Sequence, residues 1–176
     1  MRAQSVTINS HMSAEEIRVY FKRLRPYFVT SLVLFCGGFV LGAAAVASSP
    51  ELSASFAKSL AGFIKLFHGL SKLQLAIAIF INNAIKTLSA ILFGTLFGLV
   101  PAFFLIVNGA ALGVVMIGSV RARGIGPSML SILPHGILEL PAVFLGTAIG
   151  LMIGAAVTSR VFGRSEVNLR AEFAAA

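Results

Sequence analysis

The stretch Leu133-Pro-His-Gly-Ile-Leu-Glu-Leu-Pro-Ala142 sets a histidine and a carboxylate inside one of the most apolar parts of a very apolar chain. His135 and Glu139 are four residues apart, which stacks them on one face of a helix. An ionisable side chain left unpaired in hydrocarbon costs at least about 2.5–3.5 kcal/mol on insertion scales, so such residues mark pairs, pathways or sites. Pro134 and Pro141 bracket the pair, each removing a backbone donor and bending a helix. Asn82, Asn83, Lys86 and Asn108 are the other polar residues within long apolar runs. Polar side chains avoid lipid, so all six are expected to meet inside a helical bundle, with Lys86 as the counter-ion of Glu139.

Three chemistries fit this set. It can be a hydrogen-bonded polar core that fixes helix register. It can be a proton- or solute-handling site in which His135 and Glu139 titrate. A metal site would use His135 and Glu139, but third and fourth ligands are not evident. The H-E-x-x-H pattern of metalloproteases is absent, and neither a catalytic role nor a cofactor is expected. His11 and His68 fall in tail or interfacial segments and read as solvated.

The elements that must position these residues follow from composition. The 176 residues are 57% hydrophobic and 11% charged, with a mean hydropathy of +0.94. Soluble domains carry about 25% charged residues, so an all-α integral membrane protein is expected rather than a globular enzyme. The net charge of +8 does not point to nucleic acid, because the basic residues flank apolar segments as headgroup-facing side chains do. Cys36 is the only cysteine, which excludes an intramolecular disulfide; within its apolar run it reads as a small buried hydrophobe.

Residues 1–26 are expected to form a cytoplasmic tail and a surface helix. Ser13 and Glu16 have capping-box spacing at its start, and Pro26 ends or kinks it. Tyr27 to about Ala47 is long enough to cross a hydrocarbon core of about 30 Å. It reads as a retained anchor rather than a cleaved signal. Residues 53–72 carry Lys58, Lys65 and Lys72 opposite Phe56, Phe63 and Phe67. That pattern suits an interfacial amphipathic helix or a surface helix packed on its own bundle. The run from Leu75 to Val120 is too long for one span, and Pro101 is the expected divide between segments near 78–100 and 102–120. Arg121 to Pro127 reads as a loop, 128–134 as a short broken or re-entrant piece, and the rest to about 158 as a full helix.

The expected architecture is therefore a polytopic bundle of about four spans: a transmembrane domain over 27–159 and a basic cytoplasmic tail over 160–176. Eight of the fourteen Lys/Arg residues lie in the two termini, which places both on the cytoplasmic side of a cell membrane. GxxxG spacings at Gly38/Gly42, Gly94/Gly98, Gly109/Gly113 and Gly146/Gly150/Gly154 let helices approach closely, within one chain or between copies.

Three blocks carry a family resemblance: Phe80-Ile-Asn-Asn83; Phe104-Leu-Ile-Val-Asn-Gly109 followed by Gly113; and Leu133 to Ala142. Their order and spacing resemble the stage II sporulation protein M family of membrane proteins over about residues 20–160. By that resemblance Asn82, Asn83, Asn108, Gly109, His135, Gly136 and Glu139 match family motif positions. The resemblance implies a partner in a membrane complex with cell-wall hydrolases that remodels the septal wall; relatives also occur in organisms that never sporulate. Many relatives carry a further hydrophobic segment near the C-terminus, so this chain reads as either a short form or a truncated one. The expected function is a non-catalytic membrane scaffold or assembly component, in the bilayer with membrane-protein partners or further copies of itself. The alternative is a small transporter or channel-like protein using His135 and Glu139.

Overall fold

A computed structural model of the chain describes residues 13–49 and 69–163, together with Glu51, Leu52, Ala54, Ser55 and Lys58. Within these, the side chains of Lys72, Ser131, Ile132, Pro134, His135, Ile137 and Leu138 are outside the description. Most of the expected 53–72 amphipathic helix, Lys65 included, lies outside the described residues, as do His11, His68 and the tail beyond 163; Lys72 belongs instead to the next helix, which Ser71 caps. Among the described residues, four long helices stand out: α1 (Ala14–Ser48), α2 (Lys72–Leu92), α3 (Leu99–Arg123) and α4 (Ile125–Val161). No strand occurs among the described residues. Each helix contains a stretch long and apolar enough to cross a membrane.

The start of α1 is the capping box its sequence calls for. The Glu16 amide donates to Ser13 Oγ at 3.2 Å, and the Ser13 amide donates to Glu16 Oε2 at 2.7 Å. These bonds hold the exposed Glu16 carboxyl below its ordinary range, the backbone bond to Ser13 contributing most. Pro26 does not end this helix, which runs on to Ser48. A proline leaves the carbonyl four residues earlier without its helical donor. Here that carbonyl belongs to Lys22, on an exposed basic stretch where water can replace the lost bond.

The division between the second and third spans also falls elsewhere than expected. The chain turns at 93–98, through a 3-10 turn over Phe93–Thr95 and then Phe97 and Gly98 with φ of 56° and 73°. Pro101 sits inside the first turn of α3, where no helical donor is needed, so it starts a helix instead of breaking one. The Arg121–Pro127 loop contracts to Gly124, whose φ of 83° joins α3 directly to α4. Where a broken or re-entrant piece was expected, α4 is one helix of 37 residues running through Pro134 and Pro141. Membrane helices tolerate such prolines because neighbouring helices and hydroxyls can serve the freed carbonyls.

Glycines set the packing. A Cβ on Gly38 or Gly42 would strike the backbone of Ile106 or Ala110, and one on Gly109 or Gly113 would strike that of Phe35 or Phe39. Residue numbers rise together along both helices, so α1 and α3 run parallel. Gly146, Gly150 and Gly154 likewise meet Thr87, Ala90 and Gly98 in turn, making α2 and α4 parallel. Contacts between the two pairs run the other way, with Leu24 on Ala148 and Met152, and Phe35 on Phe144. The fold is thus an alternating four-helix bundle in which the start of α1 and the end of α4 share one end. Cys36 lies off the buried stripe Ser31, Phe35, Gly38, Gly42, Val46 of α1 and is exposed rather than buried.

Candidate functional site

Depth in the membrane follows from charge and register. Arg18, Lys22, Arg23 and Arg25 are exposed on the first part of α1, which keeps that part among headgroups or in water. The remainder, Tyr27 to Ser48, spans about 33 Å, close to the thickness of a hydrocarbon core. Leu24 packs on Ala148 and Met152, so the bilayer plane near Tyr27 meets α4 near Gly150. Hydropathy alone would place the crossing of α4 at Glu139–Val161. Packing against α1 shifts it back toward Gly124. That register puts Pro134, Gly136, Glu139 and Pro141 on the part of α4 level with Tyr27–Ser48 of α1, while Tyr20, Leu24 and Tyr27 pack on its later, apolar part.

Within this frame, Lys86 and Asn108 come together. Lys86 Nζ donates to Asn108 Oδ1 at 3.4 Å, across the hairpin formed by α2 and α3. Asn108 Nδ2 donates to the Phe104 carbonyl at 2.7 Å, which fixes the amide with its oxygen toward the ammonium. Both residues are half-buried. Asn82 is exposed and donates to its half-buried neighbour Asn83 at 3.5 Å, the limit of a useful hydrogen bond. Glu139 is half-buried and makes contacts of its own, while the His135 side chain is outside the description. Thr87 touches Gly146, and Glu139 lies two turns before Gly146, about 10 Å of rise. A pairing of Lys86 with Glu139 would require both long side chains to lean along the helix axis. Gly109 and Gly113 serve the α1 seam, whereas Gly136 is half-buried with, among the described residues, the Leu140 side chain 3.6 Å from its Cβ position.

Two further polar contacts escaped the sequence reading. Thr147 Oγ1 lies 3.3 Å from Ser31 Oγ in the interior, and also donates to the Val143 carbonyl at 2.7 Å. At the far end of the bundle, Ser119 Oγ donates to Ser128 Oγ at 2.8 Å, and Ser128 to the Gly124 carbonyl at 2.7 Å. Arg123 reaches Ser119, and Arg121 donates to the Val46 carbonyl at 3.3 Å, closing the end of α1. Small hydroxyls look neutral in an apolar run, and only their facing positions reveal them. Among the described residues no three His, Cys, Asp or Glu side chains converge on a metal position.

A bundle of crossing helices, sealed by glycines and carrying a few amides and charges at depth, defines a polytopic α-helical membrane protein. The family model for Stage II sporulation protein M matches residues 31–176, and the chain belongs to that family. Neither a curated protein nor a solved structure matches it.

Proposed function

We propose that the chain is a non-catalytic membrane scaffold or assembly component, with α2 as the edge it presents to protein partners. One observation carries this reading. Only 6% of the apolar window of α2 is buried, against 28% in α1 and α3 and 50% in α4. Backbone contacts close α1 on α3 along their length, but hold α2 to α4 only near its later end, which leaves Leu73, Ile77, Phe80, Ile81 and Ile85 exposed. A transport path needs a wet, polar interior, whereas glycine-to-backbone packing suits a rigid frame. In this reading both termini are cytoplasmic, given the basic residues at their shared end, and the family points to complexes that remodel the cell envelope.

The test is photo-crosslinking in native membranes with a reactive residue at Ile81 or Ile85 of α2, or at Val33 of α1. Val33 is similarly exposed, at 65%. A discrete adduct specific to α2, containing a protein that also co-purifies in stoichiometric amount, supports the scaffold. Equal adducts at all three positions would remove α2 as the docking edge.

A further inference from the structure

Between α1 and the end of α4 lies a half-open cleft of about 240 Å³. Its lining combines Arg23, Tyr27 and Ser159 with Met152, Ala155 and Ala156. The lining is amphipathic: a guanidinium, a phenol and a hydroxyl stand beside a methionine and two alanines, and Tyr27 lies where the exposed basic stretch of α1 gives way to its apolar run. Its volume is below the roughly 300–1,000 Å³ of pockets for drug-sized ligands, which suits a headgroup rather than a whole lipid. A guanidinium offers a planar fork of donors matched to phosphate oxygens, and the phenol and hydroxyl add donors at the same level. Arg18, Lys22, Arg25 and Arg160 are exposed around this end of the bundle and add a positive field that concentrates anionic lipid.

We infer that this cleft binds the phosphate of an anionic phospholipid. Arg23 holds the phosphate, Tyr27 and Ser159 orient it, and the methionine and alanines receive the apolar side of the glycerol backbone. The lipid would thereby join the start of α1 to the end of α4, two segments that leave the bilayer together.

Native mass spectrometry of the purified full chain, with phosphatidylglycerol or phosphatidylcholine added, tests the site. The wild-type chain should retain phosphatidylglycerol by about ten-fold over phosphatidylcholine: both carry the phosphate, but only phosphatidylcholine brings an ammonium that the Arg23 guanidinium repels, an effect on the scale of one close charge pair. Arg23→Ala should lose that preference. Arg18→Ala removes the same charge from the same helix outside the cleft, and should keep most of it. Ala155→Leu fills the cleft without changing charge and should lower retention as Arg23→Ala does. Millimolar inorganic phosphate should leave the lipid adduct in place; displacement would assign the cleft to a free anion and overturn the lipid site. Absence of headgroup preference in the wild-type chain would overturn it without recourse to any variant. So would equal effects of Arg18→Ala and Arg23→Ala, or no effect of Ala155→Leu.

Discussion

Between α1 and α3, glycines stand on both helices, and each meets the other helix's backbone. Between α2 and α4 the device is lopsided: α4 supplies a glycine every turn, and α2 answers with Thr87, Ala90, Gly94 and Gly98, all in its later half or the turn that follows. The first half of α2 is left exposed. Reciprocal glycines build a seam that cannot open without loss of both helices. A one-sided seam holds α2 by one end and leaves its other surface to lipid or to a partner. The amides divide along the same line: Asn82 and Asn83 stand on the loosely held α2, and Asn108 on α3.

The contrast breaks most readily on the reciprocal side. Gly42→Leu would drive its side chain into the Ala110 backbone, whose Cα already lies 2.7 Å from the Cβ position. It should cost about 3 kcal/mol or more of stability, the upper range for overpacking, read by unfolding in detergent. Gly37→Ala, with nothing within 4 Å of its Cβ position, should be close to neutral. On the lopsided side the obstacle to Gly146 is the Thr87 methyl group, a side chain. Gly146→Ala should therefore cost only about 1 kcal/mol, and Thr87→Ser in the same chain should restore it.

The spans were legible because hydrocarbon thickness imposes a length, and the glycine repeats because close approach requires them. The breaks were not. Proline reads as a helix breaker, yet Pro101 starts α3 and Pro141 lies within α4, while the turn belongs to Phe97 and Gly98. Nothing local distinguishes a proline at a helix start from one at a boundary. Lys86 and Asn108 were placed in one cluster by their shared aversion to lipid, and they are in contact. Sequence pairs Lys86 with Glu139 by charge complementarity, while the axial register that decides whether the two meet is not visible there.

That choice yields the next test. A double-mutant cycle on Lys86→Met and Asn108→Leu should give a coupling of about 0.6 kcal/mol, typical of interhelical hydrogen bonds in membranes. The parallel cycle on Lys86→Met and Glu139→Leu measures whether the carboxylate shares the cluster; simple additivity would exclude it. The smallest effect is expected at the start of α1. Glu16 is held below its ordinary range by Ser13, so its capping contribution is complete above the ordinary glutamate range. It fades as pH falls through the lowered value. Glu16→Gln should remove this pH dependence, seen in the wild-type chain as a loss at low pH of amide protection over residues 14–17, measured relative to the intrinsic exchange rate at each pH.

A frame closed by glycines should not conduct, and reconstitution of the chain alone tests that most directly. Proteoliposomes holding the full chain under an imposed pH gradient should leak protons no faster than protein-free vesicles. A saturable proton flux that disappears in Glu139→Gln would contradict the scaffold and establish transport.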